Sequence, residues 1–168
     1  QKIKNKIKNK VFDEISKRGL MVVQKETNKN NPFVLEKLFN VPEVPFSEDD
    51  FKKRNADDIV VSWIIPPLGI GSGGHINIFR TIHHIHTMGI HNRIYIYGGD
   101  KDTPSDVLKK FVKDNYSFDL EDDEIFADIS CMKYTDALIA TSWVTAYVAN
   151  SFNNTVSKFY FIQDFEPY

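Results

Sequence analysis

The stretch DIVVSWIIPPLGIGSGGHIN, residues 58–77, decides the fold. Its first half is a short apolar run rich in β-branched residues, too short for a helix and closed by Pro66-Pro67. That pattern predicts a buried strand. Its second half sets Gly69, Gly71, Gly73 and Gly74 within six residues, interrupted only by Ile70 and Ser72. So many glycines cost backbone entropy, and a plain turn does not need them all. Beyond them Ile78, Phe79, Ile82, Ile85 and Met88 follow helical spacing, and Gly89 fits the helix end.

The same alternation runs on to the end of the chain. RIYIYGG reads as a second strand and TPSDVLKKFVKDNY as a helix, with Thr103 as N-cap and Pro104 in the first turn. EIFADIS and DALIATS read as a third and a fourth strand, WVTAYVANSF as a helix and KFYFIQDF as a fifth strand. Strands alternating with helices predict an α/β fold, a Rossmann-like parallel sheet with helices on both faces. In such sheets ligands bind outside the carboxyl ends of the strands. The chemistry is therefore expected in PPLGIGSGG, YGGDKD, ATSW and QDFEPY.

Residues 57–168 form the expected domain, and residues 1–56 an arm in front of it. Within the arm, Ile3, Ile7, Phe12 and Ile15 lie at near-helical spacing, with seven basic residues against two acidic ones up to Gly19. A basic amphipathic helix of this kind either touches a membrane surface or docks its Ile stripe on the body. Residues 27–58 are turn-rich and polar, a connecting segment rather than a second core.

The bulk numbers bound the rest. A chain of 168 residues suits about one domain, and 42% apolar content is globular rather than disordered. A net charge of −2 gives no general attraction to nucleic acid. One cysteine makes no intramolecular disulfide, which favours a reducing compartment. The chain starts without Met and stops just after a strand, so it is expected to be a piece of a longer protein.

Gly69, Gly71 and Gly74 satisfy G-x-G-x-x-G, the dinucleotide fingerprint, so the NAD-binding domain of an oxidoreductase is an alternative. Two details oppose it. The diproline lengthens the turn before Gly69, whereas the fingerprint places its first glycine at the strand end. The acid that would hold a ribose should close the second strand, yet Asp100 lies beyond Gly98-Gly99. The N-terminus of the following helix favours an anion, so Gly71, Ser72, Gly73, Gly74 and His75 are candidates for a diphosphate or sugar. His75 either donates to the ligand or packs against the sheet end.

Asp100 and Asp102 form a D-x-D pair, better read as a solvated turn than as a metal site. His83 and His86 share a helix face, but no Cys, Asp or Glu is close in sequence to complete a zinc site, so no metal is expected. The acidic run DLEDDE, residues 119–124, reads as a solvated loop. Ser142 is a natural N-cap and a binding candidate at its strand end. Gln163, Asp164 and Glu166 follow the fifth strand at the ligand edge; the carboxylates could orient or deprotonate a hydroxyl.

Taken together, VSWIIPPLGIGSGGHINIFRTIHHIHTMGIHNRIYIYGG resembles the opening of GT-B glycosyltransferases of the family 4 type. SGGHINIFR and FYFIQDFEPY are most similar to the rhamnosyltransferase-like branch, which acts on bacterial surface polysaccharides. The likeness covers residues 57–168. It implies the N-terminal, acceptor-side half of a two-domain enzyme whose glycine loop faces the diphosphate of a nucleotide-sugar donor. The sugar, rhamnose among the candidates, would pass to a saccharide acceptor. Gly73 and Gly74 would be the loop, with Ser72 and His75 beside it and Asp164 near the reacting sugar. The donor-binding C-terminal half is missing from these residues, so the fragment alone is expected to be inactive. The resemblance further implies no metal or other cofactor; the single cysteine and the lack of a secretory signal favour the cytoplasm, where the basic arm is the candidate for contact with the inner membrane face.

Overall fold

A computed structural model describes residues 41–120 and 122–163. Helix α1 spans Glu48–Lys53, strand β1 Val60–Ile65, helix α2 Gly73–Thr87 and strand β2 His91–Ile96. Helix α3 spans Ser105–Tyr116, strand β3 Glu124–Phe126 and strand β4 Thr135–Ala140, with a short 3₁₀ turn at Ile129–Cys131. Helix α4 spans Trp143–Ser151 and strand β5 Thr155–Tyr160. All pairings are parallel, in the order β3-β2-β1-β4-β5. This is the α/β, Rossmann-like sheet that the alternation of strands and helices predicts.

The two halves of the core follow from the pleat. Val61, Trp63 and Ile65 point to one face, where Ile78, Phe79 and Ile82 of α2 and Leu108, Val112 and Tyr116 of α3 bury them. Ile64, Leu138 and Ala140 point to the other, under Val144, Val148 and Ala149 of α4. Helices therefore cover both faces. Gly89 has φ +78° just past α2 and donates to His86 O, the left-handed stop expected of it. No helix among the described residues is long and apolar enough to cross a membrane.

Three local expectations need correction. Helix α3 begins one residue later than its Thr103 cap would require: Pro104 is the N-cap and provides no side-chain bond. Strand β5 begins at Thr155, because Thr155-Val156-Ser157 pairs with β4 despite its polar content. The acidic run is not all solvated. Asp123 is buried and accepts the Asn92 backbone N–H at 2.9 Å and the Asn92 side-chain amide at 3.3 Å. Asn92 in turn accepts the Trp63 indole N–H at 3.0 Å, and His86 Nδ1 lies 3.3 Å from Asp123. This buried network fixes the start of β2 against β1 and α2. Glu124 opens β3 and pairs with Arg93 at 2.7 Å.

Within the connecting segment, Val44 exchanges backbone bonds with Ser151 and Asn153 beside the start of β5. Ser47 caps α1 by accepting from Asp50 N. The basic helical stretch of residues 1–19 lies outside the described residues.

Candidate functional site

In the strand order 3-2-1-4-5 the chain reverses direction of winding between β1 and β4, and the crevice beyond their carboxyl ends is the expected ligand site. The glycine loop leaves β1 at that point. Gly71 holds φ +74°, a conformation only glycine adopts without strain. Ser72 then caps α2, its Oγ accepting from His75 N at 3.4 Å.

His75 is buried, and both of its ring nitrogens are engaged within the loop. Nε2 lies 3.3 Å from the Pro66 carbonyl, which only accepts, so Nε2 carries the proton. Nδ1 then accepts from Ser72 Oγ at 2.7 Å. Burial holds His75 below its ordinary pKa, although the Pro66 bond works the other way. A neutral imidazole with both nitrogens occupied shapes the loop; it has no free donor for a ligand. Behind it the Tyr116 ring stacks at 5.8 Å, and the Tyr116 hydroxyl donates to Gly69 O at 2.8 Å while accepting from Gly69 N at 3.1 Å. Tyr116 is a loop-shaping residue not among the site candidates that the sequence offers. Its signal was the Leu108–Val112–Tyr116 stripe, which ends in a hydroxyl just where the loop returns.

Side chains added at Gly69, Gly71 or Gly73 would enter open space. Gly74 differs: a Cβ there would lie 2.9 Å from Gln163 Oε1 and 3.9 Å from Ser72 Oγ. Gln163 reaches the loop from the end of β5 and donates from Nε2 to Thr141 O at 3.2 Å, which sets the orientation of its amide. Its Oε1 is shielded from solvent and has no hydrogen-bond partner. One side chain thus spans the crevice from β4 to the first turn of α2. That turn offers backbone N–H groups and the positive end of the helix dipole.

The structure therefore brings Ser72, Gly74, His75 and Gln163 together, with Thr141 as an unforeseen member through its carbonyl. Gly71 and Gly73 line the open side of the same loop. Ser142 is adjacent but occupied, since it caps α4 in a capping box with Thr145. Asp164 and Glu166, the expected catalytic carboxylates, lie outside the described residues.

Beside the loop, beyond the ends of β1, β2 and β3, is a pocket of about 240 Å³ lined mainly by Pro67, Leu68, Ile96, Val107 and Phe111. Asp100 and Thr103 stand at its polar side. Asp100 Oδ1 accepts from Asp102 N, so the D-x-D pair forms a turn. The residue that follows β2 is Tyr97, not an acid. Among the described residues no three His, Cys, Asp or Glu side chains gather as metal ligands.

Comparison with protein families, with curated proteins and with solved structures returns no match.

Proposed function

We propose that this chain is the acceptor-side domain of a GT-B-type glycosyltransferase, moving a sugar from a nucleotide-sugar donor to a saccharide hydroxyl. The observation that carries the reading is the meeting of Gly74 and the Gln163 side chain at the ligand edge of the sheet. It pairs an open glycine loop and a helix N-terminus, suited to a diphosphate, with a shielded acceptor oxygen, suited to a hydroxyl. In this scheme the loop amides stabilise charge on the departing diphosphate. Gln163 orients an acceptor hydroxyl, and Asp164 or Glu166 takes its proton. His75 and Tyr116 hold the loop without touching the ligand. The apolar pocket by Phe111 receives the less polar face of the acceptor.

On this reading a second, donor-binding half completes the enzyme, no metal takes part, and rhamnose is one candidate sugar. The reaction belongs to bacterial surface-polysaccharide assembly on the cytoplasmic side of the membrane. The test is sugar transfer by a protein that joins this chain to a donor-binding half. Gly74→Val should abolish turnover by displacing Gln163; undiminished turnover would remove the loop from the mechanism.

The strand order and glycine spacing also favour a second reading, an NAD-binding oxidoreductase domain. The three residues between β1 and Gly69, and Tyr97 in place of a ribose-binding acid, weigh against it. Titration with NADH separates the two: tight binding with enhanced cofactor fluorescence would favour the oxidoreductase.

A further inference from the structure

At the opposite, amino-terminal edge of the sheet, a groove of about 470 Å³ lies between α1 and the segment entering β4. Lys53, Arg54, Arg93 and Lys133 line it, against Asp50 as the one lining carboxylate. The groove is built rather than incidental. Buried Asn154 accepts from Ser47 N at 3.0 Å and donates to Asp50 Oδ2 at 2.9 Å, fixing α1 beside it and engaging that carboxylate.

The cations differ in what they have to spare. Arg93 spends Nε on Glu124 at 2.7 Å and Nη1 on Tyr134 O at 2.9 Å. Lys133 stands 3.9 Å from Glu124 Oε1. Arg54 is stacked on the Phe51 ring, its Cζ 4.3 Å from the centroid, and Phe51 rests edge-on against Tyr134. Its Nε is shielded from solvent and has no hydrogen-bond partner. Among the described residues no ion pair engages Lys53 or Arg54. A guanidinium held on an aromatic ring and neutralised by no carboxylate among the described residues, with three further cations beside it, is matched to an anion of more than one charge.

We infer that this groove binds a phosphate-bearing small molecule, with Arg54 as its principal ligand and Lys53, Arg93 and Lys133 as supporting charges. The excess of cations selects a phosphate or diphosphate over a single carboxylate. The volume leaves room for an organic group as well as the phosphate. The site is separate from the glycine-loop crevice, because the six residues of β4 place the two edges about 20 Å apart.

Isothermal titration calorimetry of the 168-residue chain at fixed ionic strength tests this, with inorganic pyrophosphate and a nucleoside diphosphate as separate probes. The measurement is made in a Gly74→Val background, which displaces Gln163 at the loop, and any binding there that Arg54→Gln and Lys53→Gln both leave unchanged is assigned to the loop rather than to the groove. Saturable one-site binding is expected, weakened about tenfold by Arg54→Gln, the order of one charge-assisted hydrogen bond. Tighter binding of the nucleoside diphosphate would identify an organic phosphate, and equal binding a free one. Lys53→Gln, at an exposed position, should weaken binding too and serves if Arg54→Gln does not fold. Absence of saturation, or binding unchanged in both variants, would overturn the inference.

Discussion

The side-chain carbonyl of Gln163 stands over the bare Cα of Gly74, where even a methyl group would come within 2.9 Å of it. The two residues are far apart in the chain, and Gln163 is held in place from the other side by Thr141 O. The contrast with its neighbour makes the first prediction. Gly73→Ala enters open space and should leave thermal stability unchanged or raise it by up to about 1 kcal/mol, since Ala is the better helix former. Gly71→Ala should cost about 1–2 kcal/mol, because its φ is left-handed. Denaturant titrations of the two variants would check the ordering.

Tyr116→Phe removes a hydroxyl that both donates to and accepts from Gly69. The expected loss is about 1 kcal/mol. Amide hydrogen exchange should accelerate at Gly69 while staying unchanged in β1. Uniform acceleration across the sheet would show that Tyr116 supports the core rather than the loop.

His75 makes stability depend on pH in a definite direction. Its folded pKa is below the ordinary 6.5, since burial disfavours the imidazolium more than the Pro66 bond supports it. Between those two values the unfolded chain binds the extra proton. Stability is therefore fully present above about pH 6.5 and is lost as the pH falls toward the folded pKa. Urea midpoints measured across this range should drop for the wild type and drop less for His75→Gln.

Asp123 offers the sharpest contrast within the acidic run. Asp123→Ala strands the buried Asn92 backbone N–H, while the Asn92 side-chain amide keeps the Ile82 and Ile90 carbonyls, and should cost about 1–3 kcal/mol. Asp122→Ala, at an exposed position, should stay within about 0.5 kcal/mol. Equal effects on the melting temperature would refute the buried role of Asp123.

The order of strands and helices was legible because it is written in local periodicity. VVSWII, the helical stripe from Ile78 to Ile85 and the Ser142 cap each act through neighbours a few residues away. The parts that were not legible depend on distant pairing. Nothing in DLEDDE distinguishes Asp123 from Asp122 until β2 and β3 align and set Asn92 beside it. His86 appeared to lack an acidic neighbour for the same reason. At the site, the glycines, Ser72 and Gln163 could be named as candidates. The encounter of Gln163 with Gly74 requires β5 to lie beside β4, which periodicity does not state. The engagement of both His75 nitrogens likewise depends on where the Pro66 carbonyl points.

The most direct measurement of the central claim is a nitrogen–proton NMR titration of the chain with a nucleoside-diphosphate sugar, run beside NADH. The account predicts that the Gly73 and Gly74 amides and the Gln163 side-chain amide shift together with the nucleotide sugar, and less with NADH. Loop signals that stay still under the nucleotide sugar, or that respond more strongly to NADH, would contradict it.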